Sequence, residues 1–211
     1  MNILGLDITR PAHACIRVVS QTGKIIYFDP FQVSGTDKAD YIFISHEHYD
    51  HCSVADIKRI IKHDTVIITV PDCQSKLSGL PIKEVKLVKP GDQLHLPHFD
   101  VQVVPAYNMN KHFHVRDNDW VGFVVKLDGR VLYHMGDTDI IPEMQHIKGI
   151  DVLFIPVSGT FVMTPEEAAK ITNHIKPHIA VPIHYGAGVV GTQTDAEKFK
   201  TLVHVTEVLI L

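Results

Sequence analysis

The chain has 211 residues, 45% of them hydrophobic, which is enough for one domain with a substantial core. Its formal net charge of −4 leaves no excess of positive charge for binding nucleic acid. The three cysteines form no CxxC pair, and no apolar run approaches the roughly 18 residues of a membrane-spanning helix. We therefore predict a single cytoplasmic domain over residues 1–211, with reduced thiols and neither a nucleic-acid nor a membrane partner.

The N-terminal part of the sequence predicts a meander of short strands at residues 3–8, 14–19 and 24–28. The third of them stops at Asp29-Pro30. His13 lies at the junction of the first two strands. A single histidine in such a place is more often structural than functional, so strand order alone assigns it no role.

The most informative stretch is residues 45–51, with the sequence SHEHYDH. It follows an apolar run, 41–44, that is too short for a helix and predicts a buried strand. In extended backbone His46 and His48 point to the same side, whereas Asp50 and His51 follow where the chain must turn. We therefore predict two neighbouring divalent ions, zinc first, with manganese or iron as alternatives. A solvated, histidine-rich turn would account for any one of these residues but poorly for all four.

Ser53 is placed to cap a helix that runs to about residue 62, with Asp56 at the capping-box position. Further short strands are expected at residues 65–70, 85–88, 93–96 and 101–104. The loop after the last of these strands carries Asn108, His112 and His114. Either histidine could bind a metal, because a loop of this length can place either one.

Two more candidate ligands follow strands in the C-terminal part of the chain. A predicted hairpin of strands 120–126 and 130–135 delivers Asp137 behind a glycine that permits a sharp turn. A carboxylate has two oxygens and can bridge two cations. The predicted strand 179–183 ends at His184. Thr164 and Thr194 predict helices to about residues 175 and 202, and residues 205–211 predict a closing strand.

The order and spacing of these motifs resemble the metallo-β-lactamase fold superfamily. The motifs are Asp29-Pro30, H-x-H-x-D-H at 46–51, G-D-T at 136–138, M-T-P-E-E-A-A at 163–169 and P-I-H-Y-G at 182–186. They are similar to its small branch without insertions, the ascorbate-6-phosphate lactonase-like metal-dependent hydrolases, over nearly the whole chain. The resemblance implies an α/β fold, a four-layer αβ/βα sandwich of two mixed sheets with helices outside and metals at one edge.

The resemblance also implies a binuclear site. Its ligands would be His46, His48 and either His112 or His114 on one ion, Asp50, His51 and His184 on the other, and Asp137 as the bridge. Asn108 stands near the place where many members have the third histidine of the first ion. Flavodiiron relatives usually have Glu in place of His48, so His48 favours hydrolysis over the reduction of oxygen or nitric oxide. Candidate substrate contacts are His13, whose loop often carries a histidine in members of the superfamily, Asn108 and Thr160.

We therefore expect a metal-dependent hydrolase in which a metal-bound hydroxide attacks an ester, lactone or phosphodiester of a small molecule, with Asp50 relaying the proton. A different possibility is a metal-dependent binding or regulatory protein that keeps the fold without turnover. Asn108 makes this alternative credible, because the first ion would then have only two firm histidine ligands. A homo-oligomer is compatible with both.

Overall fold

The computed structural model describes residues 1–35 and 37–211, which form two compact units, Met1–Val88 and Lys89–Leu211. Each unit contains one seven-stranded sheet. Both sheets have parallel and antiparallel neighbours, so the expected α/β class with two mixed sheets is confirmed. The single domain over 1–211 stays a prediction. Among the described residues, no helix has the length and apolar character needed to cross a bilayer.

The sheet of the first unit contains strands β1 to β7 in sequence order. Their bounds are β1 Asn2–Ile3, β2 Leu6–Thr9, β3 Ile16–Val19, β4 Ile25–Phe28, β5 Tyr41–Ile44, β6 Val66–Thr69 and β7 Glu84–Leu87. Strands β1 to β4 are antiparallel, and β4 to β7 are parallel, connected after β5 by helices α1 (Val54–Ile60) and α2 (Gln74–Leu77). The carboxyl ends of β4 and β5 therefore meet at one edge, where Asp29 and the SHEHYDH stretch begin.

Two local predictions in this unit need correction. The strand expected over 3–8 is broken into β1 and β2, because Leu4 and Gly5 have φ of 52° and 91° and form a tight hairpin turn. Helix α1 is capped by Ser53 as predicted, but it ends at Ile60 because Ile61 is already extended. The segment between β6 and β7 also contains the short helix α2.

The sheet of the second unit has the order β14-β13-β12-β11-β10-β9-β8. Its strands are β8 Gln93–Leu96, β9 Phe99–Pro105, β10 Val121–Leu127, β11 Arg130–His134, β12 Val152–Pro156, β13 Ile179–Ile183 and β14 Glu207–Val208. Strands β8 to β11 are antiparallel, whereas β11 to β14 are parallel. The carboxyl ends of β11, β12 and β13 thus share one edge, from which Asp137, Ser158 and His184 emerge.

Helices α3 (Pro165–Ile175) and α4 (Gln193–Leu202) pack on this sheet. The cap of α3 by Thr164 is confirmed, including its capping box. Tyr133, Leu153 and Phe199 belong to the buried cluster that joins strands and helices. Burying a side chain of this kind typically contributes about 1.5–3 kcal/mol, so the strand ends stand on a firmly packed core.

The C-terminal predictions were wrong in detail. Helix α4 is capped by Thr192, not Thr194, because Asp195 stands three residues after Thr192 and completes a capping box there. The closing strand covers only Glu207–Val208, since only these residues pair with β13. The apolar residues at the end of the chain therefore led to a predicted strand longer than the observed one.

Candidate metal centre

The first cluster of ligand-type side chains lies in the first unit, in the loop after β5 and beside the β2–β3 junction. His46 Nε2 is 3.0 Å from His48 Nδ1. Asp50 Oδ2 is 3.1 Å from His13 Nε2 and 3.6 Å from His51 Nε2. The backbone N–H of His51 donates to the carbonyl of His48 at 3.0 Å, so the turn expected after His48 is present. All of these residues are buried except His48, which is partly exposed.

Asp29 organises this cluster from behind. Its Oδ1 accepts a hydrogen bond from the backbone N–H of Ser45, and its Oδ2 accepts from Ser45 Oγ and from His51 Nδ1, each at 2.7 Å. Because the Ser45 hydroxyl donates its hydrogen bond to Asp29, its oxygen accepts a hydrogen bond from His46 Nδ1 at 2.9 Å. Both histidines therefore carry their proton on Nδ1, which leaves the lone pair on Nε2, the atom a metal would take.

The second cluster lies in the second unit and is centred on Asp137. Asp137 Oδ2 is 3.1 Å from His114 Nε2 and 2.9 Å from His184 Nε2. All three side chains are buried. His184 Nδ1 is hydrogen-bonded to Ser158 Oγ at 2.9 Å. Two imidazoles thus point at the same carboxylate oxygen.

Asn108 decides which loop histidine takes part in this cluster. Its Nδ2 donates to the carbonyl of Phe161 at 2.9 Å, so its Oδ1 faces His114 and accepts from the backbone N–H at 3.1 Å. The same oxygen is 3.1 Å from His114 Nδ1, which must therefore carry the ring proton. His114 is buried and His112 is exposed. The structure accordingly brings His114 to Asp137 and leaves His112 in solvent.

The donor atoms of each cluster have the spacing of ligands that share one ion. Two ligand atoms each about 2.1 Å from a metal, at angles between 90° and 109°, lie about 3.0–3.4 Å apart. The separations of 3.0 Å for His46–His48 and 3.1 Å for His114–Asp137 fall in this range. Those of 2.9 Å for His184–Asp137 and 3.6 Å for His51–Asp50 lie just below and just above it. In His46, His51 and His114 the hydrogen bond at Nδ1 favours a proton there and a lone pair on Nε2. The residues present therefore fit divalent metal ions.

The remaining candidate residues, those predicted to contact substrate, differ in how deeply they are buried. His13 is fully buried beside Asp50, and Asn108 is buried as a partner of His114. Thr160 is exposed in the loop between β12 and α3. Sequence reasoning missed the roles of Asp29 and Ser158. For Asp29 a signal existed, since Asp29-Pro30 ends a strand on the same side as the histidine stretch, whereas nothing in the sequence marks Ser158.

Comparison with known proteins comes to the same architecture. The family model described as the beta-lactamase superfamily domain matches residues 7–184. The chain is 32% identical over 211 residues to a UPF0173 metal-dependent hydrolase of Staphylococcus epidermidis, covering 90% of both chains. It is 28% identical over 229 residues to a UPF0173 metal-dependent hydrolase of Koribacter versatilis, covering 98% of this chain and 97% of the relative.

Solved structures agree as well. A crystal structure from Parabacteroides distasonis is 32% identical, superposes with a TM-score of 0.85, and covers 97% of this chain and 92% of that one. Igni18, a metallo hydrolase from Ignicoccus hospitalis, superposes with a TM-score of 0.80 at 23% identity and covers 98% and 94%. At that identity the second likeness is one of fold alone.

Proposed function

Because the chain belongs to the beta-lactamase superfamily, we propose that it is a metal-dependent hydrolase of a small molecule with an ester, lactone or phosphodiester bond. The name metal-dependent hydrolase is carried by its UPF0173 relatives at up to 32% identity. The substrate classes follow from the chemistry that divalent ions perform with water. The site residues below are part of the same proposal.

The observation that carries the proposal is the pairing of His114 and His184 on one oxygen of Asp137. Asn108 fixes the His114 proton on Nδ1, so the lone pair of His114 Nε2 faces a carboxylate oxygen 3.1 Å away. If Nε2 carries no proton, it and the carboxylate oxygen are two buried acceptors, which repel each other unless a positive charge lies between them. A divalent cation supplies that charge and binds both atoms.

We retain the ligand sets that the superfamily resemblance implies and choose His114 as the loop ligand. They are His46, His48 and His114 for one ion, Asp50, His51 and His184 for the other, and Asp137 as the bridge. Imidazole and carboxylate ligands without a thiolate suit zinc first, and manganese or iron next. Two ions and zinc remain parts of the proposal.

When bound, the ions would supply a water whose pKa is lowered from about 15.7 toward roughly 7, and positive charge beside the oxygen that becomes anionic. Asp50 is the side chain we assign to move the proton from the attacking water to the leaving oxygen. It is buried, and His13 Nε2 lies 3.1 Å from its Oδ2, so His13 would orient this carboxylate. Asp29 and Ser45 preorganise His46 and His51 by fixing their protons on Nδ1.

The proposal is tested with protein purified without chelator. We expect up to two metal equivalents, and hydrolysis of at least one member of a panel of esters, lactones and phosphodiesters that EDTA abolishes. His114→Ala should remove about one equivalent and lower the rate roughly a hundredfold or more, since a metal typically contributes several kcal/mol to the transition state. His112→Ala is the matched control, because this exposed histidine two residues away should change neither quantity.

A readout independent of turnover comes from Trp120, the single tryptophan of the chain. Its ring centroid lies 5.5 Å from that of His114. Titration with Co²⁺, a quenching ion, should therefore reduce tryptophan fluorescence in the wild type and in His112→Ala, and by a smaller fraction in His114→Ala. Turnover that survives EDTA would contradict the proposal. If His114→Ala leaves metal content unchanged and no substrate turns over faster than with free metal ion, the binding or regulatory alternative replaces the hydrolase.

A further inference from the structure

Exposed apolar side chains are concentrated on the loop that carries His114. Among the described residues, seven large hydrophobic side chains are exposed, and three of them lie within residues 109–115. These are Met109 at 57%, Phe113 at 50% and Val115 at 41% exposure. Single exposed apolar residues are ordinary on protein surfaces, whereas a concentration of them marks a contact surface.

The loop is attached to a neighbouring segment by backbone and side-chain contacts. The backbone N–H of Asn108 donates to the carbonyl of His114 at 2.7 Å and closes the loop at its base. The backbone N–H of Met109 donates to Asp139 Oδ2 at 3.0 Å, and Lys111 forms an ion pair with the same carboxylate. Because Asp139 is two residues from Asp137, the loop is fastened to the segment that carries a candidate metal ligand.

The aromatic part of this surface adjoins the His114 side chain. The rings of Phe113 and Phe161 meet edge to face with centroids 4.7 Å apart. The carbonyl of Phe161 accepts from Asn108 Nδ2, and Asn108 Oδ1 contacts His114 Nδ1. A single amide therefore connects the aromatic pair to the candidate ligand. We call Met109, Phe113 and Phe161 the apolar rim.

The two cations of the loop that carries the apolar rim are each paired with a carboxylate. Residues 108–118 contain two permanent cations, Lys111 and Arg116. Lys111 is paired with Asp139, and Arg116 Nη2 lies 3.2 Å from Glu143 Oε1. A phosphate group would compete with these carboxylates for the cations, whereas an uncharged group would not. The rim therefore favours a neutral, apolar substituent over a phosphodiester.

We propose that the apolar rim binds the apolar acyl group of the substrate, which makes the substrate a neutral ester or lactone with a hydrocarbon acyl portion. This inference rests on the proposed hydrolase function and narrows its substrate class. In the reaction the oxygen of water bonds to the acyl carbon, the bond from that carbon to the alcohol oxygen breaks, and the alcohol leaves with a proton. An ester gives a carboxylic acid, whose chain lies on the rim, and an alcohol; a lactone gives a single hydroxy acid.

The first test compares 4-nitrophenyl hexanoate with 4-nitrophenyl acetate on zinc-loaded protein. A fully buried methylene contributes about fourfold to binding, so a half-buried one contributes about twofold and four of them about 16-fold. We expect kcat/KM for the hexanoate to exceed that for the acetate by roughly this factor. Phe113→Ser should reduce the ratio to about fourfold or less, and Phe113→Leu should retain most of it. Val205→Ser, which removes an exposed apolar side chain elsewhere, is the control and should leave the ratio unchanged.

The second test measures binding of hexanoate and acetate to the same zinc-loaded proteins by saturation-transfer NMR. We expect hexanoate to bind more tightly, by a factor that Phe113→Ser lowers. If neither ester shows EDTA-sensitive hydrolysis but this selectivity is present and depends on Phe113, the hydrolase proposal fails and the rim assignment stands. A hexanoate preference that is absent, or equal in wild type and Phe113→Ser, overturns the inference. So does sedimentation showing that Phe113→Ser converts a dimer to a monomer with the ratio unchanged, since the rim would then be a contact between copies.

Discussion

Replacement of Asp29 by Asn tests whether a residue outside the ligand set controls metal binding. Asp29 has φ of 43°, in the left-handed region that Asn adopts as readily as Asp, so the substitution keeps the backbone and the volume. It changes one atom that matters. Oδ2 accepts from both Ser45 Oγ and His51 Nδ1, and an amide nitrogen in that place can only donate.

The substitution changes which ring nitrogen of His51 carries the proton. With a donor at that position, Nδ1 of His51 must accept, so the ring proton moves to Nε2, the atom that lies 3.6 Å from Asp50 Oδ2. His51 Nε2 then has no lone pair with which to bind a metal. Loss of such an outer partner typically weakens metal binding by about 10–100-fold, or about 1.4–2.7 kcal/mol. Two hydrogen bonds to a buried carboxylate are also replaced by weaker ones to a neutral amide, so the free energy of unfolding of the metal-free protein should fall by about 1–3 kcal/mol.

The assay is competition for zinc against a chromogenic chelator, with denaturant unfolding of the EDTA-treated protein as the second measurement. Asp128→Asn is a matched control, since Asp128 is also in the left-handed region, at φ of 50°, but lies in the β10–β11 turn. There Asn-Gly suits the hairpin as well as Asp-Gly does. Zinc affinity of Asp29→Asn within about threefold of the wild type would refute the proton argument.

Two further predictions concern stability. Burial disfavours the charged form of Asp40, but hydrogen bonds from Lys62 and Lys24 outweigh it and hold its pKa below the usual value of 3.8. A carboxylate whose pKa is lower in the folded protein than in the unfolded chain stabilises the fold at pH values above the unfolded pKa. Asp40→Asn should therefore lower the unfolding free energy by about 1–2 kcal/mol at pH 7. The difference between the variant and the wild type should disappear as the pH falls through the folded pKa of Asp40, below 3.8. Gly122→Ala should cost about 1–3 kcal/mol and lower Tm by roughly 2–12 °C, because a Cβ would lie 2.8 Å from the His134 carbonyl oxygen in the neighbouring strand; an unchanged calorimetric Tm would contradict this.

The sequence locates the candidate ligands after apolar strands, and strand ends of a parallel sheet share an edge; that these residues bind metal stays a prediction. His46, Asp137 and His184 are examples, and local periodicity was enough to find them. The partners that set their protons could not be found in this way. Asp29 is 16 residues from Ser45 and 22 from His51, so only tertiary structure brings them together. The N-cap of α4 was mispredicted for a similar reason. Two Thr-x-x-acid patterns overlap near residue 192, and the local pattern alone does not decide between them.

Three side chains of the two clusters stand on backbone in the left-handed region. His13, Asp29 and His184 have φ of 49°, 43° and 60°, a region that costs a non-glycine residue about 1–2 kcal/mol. Each stands in a turn or bend beside a strand end. The cost is offset by fixed partners: the backbone N–H of Asp29 donates to Phe43, and Ser158 contacts the His184 ring. Because glycine would relieve the strain but remove the side-chain atoms that contact Ser45, Asp50 or Asp137, the presence of His and Asp at these positions is better explained by those contacts than by backbone preference.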